Sequence, residues 1–225
     1  TSDSSSVGNT NMLSDYAAIK NGSYGKLMKA YYAKQDAEKL SGKGDTSQKL
    51  TLMKTSADSL KKSADALNDS SLWEKKKIKK KDEKTGEEIE VEDYDWDKIT
   101  KAVKSFVEDY NDVVKEAGES NTKDVLRNAS WMTGMTDKNS NMLAKIGITI
   151  GKGNKLELDE DALKQADISS LKTVFTGYNS FVSKISQKAT GISNAANRAS
   201  ATYTNNGTYS KTDSSLTSSK IDKEV

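Results

Sequence analysis

Three residue types are missing from this 225-residue chain: cysteine, histidine and proline. Without the first two there is no thiolate nucleophile, no imidazole base, no disulfide framework and no zinc or iron site of the common kind. Carboxylates, Lys, Tyr, Ser and Thr remain as the groups able to do chemistry. Proline normally makes up about 5% of a chain, so its absence removes the most effective helix breaker and predicts long helices. No run of ~20 apolar residues occurs, which excludes an ordinary membrane-spanning helix. The opening residues, TSDSSSVGNTN, have neither a basic start nor an apolar stretch, so no cleavable signal is read in them. Charge of one sign is also missing: 35 basic residues stand against 33 acidic ones, a net of +2. No global field would draw such a chain to nucleic acid, and its expected partners are proteins.

What is present is helical periodicity. Apolar content is 34%, enough for a lean, elongated core rather than a compact sphere. From Thr46 the apolar positions are Leu50, Met53, Ala57, Leu60, Ala64 and Leu67, spaced 3-4-3-4-3, the pattern of one narrow seam facing a partner helix. The segment YGKLMKAYYAK repeats this briefly with Tyr24, Leu27, Met28 and Tyr31. After Trp96, the positions Ile99, Val103, Phe106, Val107, Tyr110, Val113 and Val114 share one helical face. Asp95 or Asp97 is placed to cap that helix, and Gly118 to close it in the left-handed conformation. A weaker helix from Thr122 through Trp131 carries Val125, Leu126, Ala129 and Met132, falters near Gly134 and resumes at Met142 and Leu143. Asp159 then caps a short helix through Leu163, and a second short helix carries Leu171, Val174 and Phe175. Gly177 leads into the last long helix, whose stripe is Tyr178, Phe181, Ile185, Ile192, Ala195, Ala196 and Ala199.

In two places the period changes from 3.6 to 2. Residues 146–158 alternate Ile148 and Ile150 with Thr149, then Leu156 and Leu158 with Glu157, around a Gly-Lys-Gly-Asn turn, which reads as a small hairpin. The other place is WEKKKIKKKDEKTGEEIEVEDYDW, residues 73–96. Folded about Glu83, Lys84, Thr85 and Gly86, its positions pair so that their numbers sum to 169. Lys81 then faces Glu88, Lys79 faces Glu90, Lys77 faces Glu92 and Ile78 faces Val91, while Lys80 lies against Ile89. Seven acidic residues in 87–97 offset six lysines in 75–81, so the basic tract is explained by its acidic partner and not by nucleic acid or a membrane surface. Trp73 and Trp96 fall in the same register and are expected to clamp the base of this hairpin.

Short motifs that suggest chemistry fail on their particulars. GKGNK at Gly151 and GKGDT at Gly42 lack the spacing and the Ser or Thr of a phosphate loop. Asp159, Glu160 and Asp161 suit the first turn of a helix, where carboxylates meet the positive end of the dipole, better than a calcium loop. The sequences NGS, NDS, NAS and NGT are formal glycosylation acceptors of a length that arises by chance. A Ser-Lys dyad has no local signature. No catalytic residue, metal ligand or cofactor site is read from the sequence, and an enzyme is not expected.

Four pieces taken in order carry a family resemblance. They are DYDWDKITKAVKSFVEDYNDVV, VLRNAS, LAKIGITIGKGNKLELDEDALKQ and LKTVFTG. Over roughly residues 92–200 the chain resembles the C-terminal helical region of the bacterial flagellar filament cap family, the hook-associated proteins of the growing tip. The pattern is met by Phe106, Val107, Tyr110 and Asn111 in the first helix and by Ile146, Gly147 and Ile148 in a strand. Leu156, Leu158, Asp159, Glu160, Asp161 and Leu163 meet the turn into the next helix, and Val174 and Phe175 close the stretch. Where that family places β-rich head domains, this chain has only the charged hairpin, and residues 12–39 match nothing assignable. The resemblance implies an extracellular, self-associating structural protein of the bacterial flagellum, exported without a cleaved signal. Its implied partners are itself, flagellin and other hook-associated proteins.

The expected fold is therefore mainly α: an elongated antiparallel, coiled-coil-like helical bundle over residues 12–203 with hairpins at 73–96 and 146–158. Residues 1–11 and 204–225, rich in Ser, Asn, Thr and Gly, are expected to be disordered. The Ala-rich end of the last helix, with Ile185, Ile192, Ala195, Ala196 and Ala199, offers either a subunit interface or packing against the seam helix of the same chain. A rival function is a surface adhesion module whose charged hairpin contacts a host protein or glycan.

Overall fold

The computed structural model describes residues 44–205. Expectations for residues 1–11, for the segment from Tyr24 to Tyr31 and for the tail after residue 205 lie outside the described residues. Helix α1 spans Ser47–Leu67, and its buried residues are the predicted seam: Leu50, Met53, Ala57, Leu60, Ala64 and Leu67. Thr46 caps it, its hydroxyl accepting from the Lys49 amide at 3.2 Å. A 3₁₀ turn at Ser70–Trp73 leads into the charged hairpin of β1 (Lys76–Lys81) and β2 (Glu88–Asp93). Then come α2 (Trp96–Glu119), α3 (Lys123–Lys138) and the one-turn α4 (Ser140–Ala144). Strands β3 (Ile148–Ile150) and β4 (Leu156–Leu158) form the second hairpin. The short helices α5 (Glu160–Gln165) and α6 (Ile168–Phe175) precede the long α7 (Phe181–Asn205).

Among the described residues, four long helices form the bundle. Helix α7 packs along α1 and α3, while α1 also packs along α2, and α2 touches α3. Neighbours run antiparallel: Asp58 and Asp65 of α1 meet Ser193 and Ser186 of α7, and Asp124 of α3 lies 3.8 Å from Arg198 of α7. One apolar cluster runs through all four helices and on into β3, β4, α5 and α6. The fold is mainly helical with two small antiparallel sheets, as the sequence periods predict.

Three local expectations need correction. Gly118 does not end α2 in a left-handed conformation; the helix runs through it to Glu119 and stops at the extended Ser120. The stop comes from tertiary hydrogen bonds. The buried Asp45 carboxylate accepts from the Ser120 hydroxyl at 2.6 Å, the Asn121 amide at 2.8 Å, and the Thr122 amide and hydroxyl at 2.9 and 2.6 Å. Nor does α3 falter at Gly134; it continues to Lys138 and breaks at Asn139. Buried packing outweighs the ~1 kcal/mol that a helical glycine costs, with Met132, Thr133 and Thr136 all enclosed. Tyr178 does not join the α7 stripe. It is 82% exposed, because Gly177, at φ +98°, turns the chain before the helix starts at Phe181.

The second hairpin is tied to α2 by one side chain. Asn111 accepts from the Leu156 amide at 2.7 Å and donates to the Leu156 carbonyl at 2.9 Å, so it occupies the place of a third strand. Gly147 makes the close approach behind it: its φ is +82°, and a Cβ there would lie 2.6 Å from the Asp159 carbonyl oxygen. The Asp159 amide closes the hairpin on the Gly147 carbonyl at 2.8 Å, and its carboxylate caps α5 by accepting from the Asp161 and Ala162 amides.

Two stability predictions follow from these ties. Burial pushes the Asp45 pKa up, but the hydrogen bonds from Ser120, Thr122 and Asn121 outweigh it and hold the group below its ordinary value of 3.8. A carboxyl depressed in this way stabilises the fold fully above that ordinary value, and the contribution is lost as pH falls through the folded-state pKa. Asp45→Ala is expected to cost about 2–3 kcal/mol at neutral pH and to flatten the acid limb of the stability curve. Urea titrations of both proteins across the acid range check this, and equal slopes would count against it. Asn111→Ala strands both Leu156 backbone groups and should cost about 1–3 kcal/mol, with faster amide exchange at Leu156 by NMR.

Candidate functional site

The residues singled out from sequence fall into three places. The motif residues Phe106, Val107, Tyr110, Ile146, Ile148, Leu156, Leu163 and Phe175 are buried together in the core, and Leu158 packs half-buried against it. Phe106 meets Phe181 edge-on at 6.4 Å, which brings the start of α7 against α2. The Tyr110 hydroxyl donates to the Thr136 hydroxyl at 2.8 Å, and enclosure drives its pKa far above the usual phenol value. That position serves packing, not proton transfer.

The α7 stripe is filled from within the chain. Ile185, Ile192, Ala195 and Ala196 are buried in the same core cluster, with Ala199 packed against it. Of the two readings the sequence left open, the structure supplies the intramolecular one for this face. It also reveals a feature that sequence reasoning passed over. Lys54, Ala57, Asp58 and Leu60 recur as Lys61, Ala64, Asp65 and Leu67, one heptad later. Each aspartate bridges its lysine, at 2.6 and 2.5 Å, to a serine across the seam, Ser193 or Ser186, both at 2.6 Å. The two serines are also seven residues apart, so matching repeats were the available signal. These polar rungs fix the register of α1 against α7, which the sliding contact of Ala and Leu alone would leave loose.

The charged hairpin has the predicted register: Lys77 opposite Glu92, Ile78 opposite Val91, Lys79 opposite Glu90, Lys80 opposite Ile89 and Lys81 opposite Glu88. The pairing continues through Asp82 and Glu87 at 2.9 Å, which leaves Glu83 to Gly86 as the loop, with Gly86 at φ +72°. Ion pairs, however, form between residues offset along the strands, by two positions for Lys79 and four for Lys80. Lys79 reaches Glu88 at 3.7 Å and Lys80 reaches Asp93 at 2.5 Å. The right-handed twist of a free two-stranded ribbon offsets long side chains from their direct partners and favours diagonal contacts.

The two tryptophans part company at the hairpin base. Trp73 turns inward, stacks on Phe175 at 5.4 Å and donates its indole N–H to the Leu67 carbonyl at 2.8 Å. Trp96 stays half-buried and meets Tyr94 edge-on at 6.2 Å. The expected clamp between them gives way because the core offers Trp73 both an aromatic face and an acceptor. Beside Trp96 lies a recess of about 320 Å³ lined by Ile78, Lys79, Lys80, Tyr94, Asp95 and Asp97.

Elsewhere, an open groove of about 390 Å³ between α1 and α2 brings Ser59, Ser63 and Ser105 near Lys62, Lys98 and Lys101, with Asp109 at one end. Burial raises the Asp109 pKa, the Ser63 hydroxyl offsets this in part, and Asp112 and Glu108 add to the rise. The third tryptophan, Trp131, is 49% exposed, with the Lys188 ammonium 4.5 Å over its ring and Arg127 at 5.7 Å on the same ring. Such contacts hold two surface cations on an apolar face. Among the described residues, no helix is long and apolar enough to cross a membrane.

Comparison with known proteins places this geometry. Residues 120–224 match the family model described as the flagellar hook-associated protein 2 C-terminus. No curated protein and no solved structure matches the chain. The matched stretch takes in α3 to α7 and three of the four resembling pieces, while DYDWDKITKAVKSFVEDYNDVV in α2 precedes it. It also extends past the expected limit of residue 200 into the Ser- and Thr-rich tail. Helices α1 and α2 lie before the match, yet α1 supplies the seam on which α7 closes. Over residues 120–224 the chain is similar to the C-terminal part of flagellar hook-associated protein 2, a similarity that supports a place in the filament cap family.

Proposed function

We propose that this protein is a structural, non-catalytic subunit acting outside the cell at the flagellum, where copies associate with one another and with axial proteins such as flagellin to cap or extend the filament. The observation that supports this most directly is the family match across α3 to α7, together with a bundle whose hydrophobic groups are spent on internal packing. A helical bundle of this kind can act by packing against neighbours and needs no reacting group. The absence of cysteine suits a chain that refolds outside the cell after export, where a free thiol would be open to oxidation.

The test is direct binding to filaments. Purified chain labelled with gold and mixed with sheared flagellar filaments should appear at filament ends by electron microscopy, and should sediment as oligomers at rising concentration. Uniform decoration along the sides, or no binding at all, would end the capping reading.

One feature supports a second reading, adhesion to a glycan. The recess at the hairpin base combines the rings of Tyr94 and Trp96 with the charged groups of Lys79, Lys80, Asp95 and Asp97, a lining that suits a sugar ring stacked on an aromatic and held at its rim by hydroxyl contacts. Trp96→Ala should then weaken glycan binding by about tenfold or more, measured on a glycan array and confirmed by calorimetry. A wild-type chain that binds no glycan on the array removes this reading.

A further inference from the structure

The charged hairpin is a two-stranded sheet whose strands pack substantially only on each other. Each strand therefore has one edge with unpaired backbone N–H and C=O groups, and the two edges differ in charge. Strand β1 carries Lys76, Lys77, Lys79, Lys80 and Lys81; β2 carries Glu88, Glu90, Glu92 and Asp93. A lone two-stranded hairpin is marginally stable in water and gains from a third strand. Within the hairpin only Lys79 with Glu88 and Lys80 with Asp93 come within ion-pair distance among the described residues. Lys76, Lys77, Lys81, Glu90 and Glu92 keep charge to offer outward.

We propose that the hairpins of neighbouring copies of this chain join edge to edge, the lysine strand β1 of one against the acidic strand β2 of the next. This rests on the self-association in the functional reading above and gives it a surface. Lysine edges repel lysine edges and acidic edges repel acidic ones, so the two self-matched pairings are disfavoured while the mixed pairing is attracted. Main-chain hydrogen bonds supply affinity and the charges supply register and direction. A contact between two different surfaces leaves a free edge on each end of every dimer, so the same contact repeats. It closes into a ring or continues as a helix, never stopping at a symmetric pair. The α7 stripe is unavailable for this purpose, being buried in the subunit's own core. The hairpin stands clear of that core, with Ile89 40% exposed.

The experiment is a charge-reversal set on the full chain, read by sedimentation velocity over a wide concentration range at low and high salt. The wild type should associate in a salt-sensitive way. K77E/K79E/K81E, with two acidic edges, and E88K/E90K/E92K, with two basic edges, should each lose association by about tenfold or more. An equimolar mixture of the two should regain it, since acidic edges then meet basic ones. The six-site variant carrying both sets keeps complementarity inside and outside the hairpin and should associate like the wild type, which guards against simple unfolding. If the wild type associates and the reversed variants do so equally, or if neither the mixture nor the six-site variant recovers, the hairpin contact is wrong while self-association stands. A wild type that stays monomeric throughout overturns both.

Discussion

The contact between α1 and α7 is the constraint on which the rest of this structure depends. The two helices are separated by more than a hundred residues of chain, and neither has enough apolar surface to be stable alone. Helix α1 offers Leu50, Met53, Ala57, Leu60, Ala64 and Leu67, and α7 answers with Val182, Ile185, Ala189, Ile192 and Ala196. Small residues on both sides let the backbones approach, and close approach is what gives such a thin stripe enough dispersion energy to hold. Everything between the two helices is then confined to a closed loop. Helices α2 and α3 fill the open sides, and the two hairpins are carried where the loop turns.

Polar groups decide how this contact is aligned. Asp58 and Asp65 are half-exposed, so their salt bridges to Lys54 and Lys61 add little energy in water. Their hydrogen bonds to Ser193 and Ser186 matter for register, since a slip of one helical turn would break both rungs together. Both carboxyls face a desolvation penalty that the lysine and serine contacts outweigh, leaving their pKa values below ordinary. Asp45 performs a comparable task at the end of the bundle, where one buried carboxylate gathers four donors from Ser120, Asn121 and Thr122 and sets the angle between α2 and α3.

This division of labour bears on the functional reading. A bundle that spends its hydrophobic stripes inside the subunit leaves a surface of charge, hydroxyl and a few isolated apolar side chains. What projects from it is the hairpin, with a lysine strand and an acidic strand side by side. The similarity to the hook-associated protein 2 C-terminus begins at residue 120, and the ribbon of two short strands lies before it in the chain. Its charge pattern is directional, and direction is what an assembly of repeating subunits requires.

The sequence determined the elements whose signal is local. The 3-4-3-4-3 spacing in α1 marked every buried residue of that helix, and the alternation of Lys and Glu about Gly86 set the hairpin register, because side-chain period alone specifies both. Asp159 as a cap was legible for the same reason. Only the tertiary structure decided the rest. Gly118 and Gly134 looked like stops, yet one helix ends where Asp45 grips Ser120 and the other where Asn139 breaks it, since distant packing outweighs local propensity. Trp73 left its hairpin partner for Phe175, and the Ala-rich face of α7 found its partner in α1 of the same chain. Composition cannot say which of two complementary faces will meet when both are apolar and narrow; that is settled by which pairing buries the most surface while keeping Asp58 and Asp65 hydrogen-bonded.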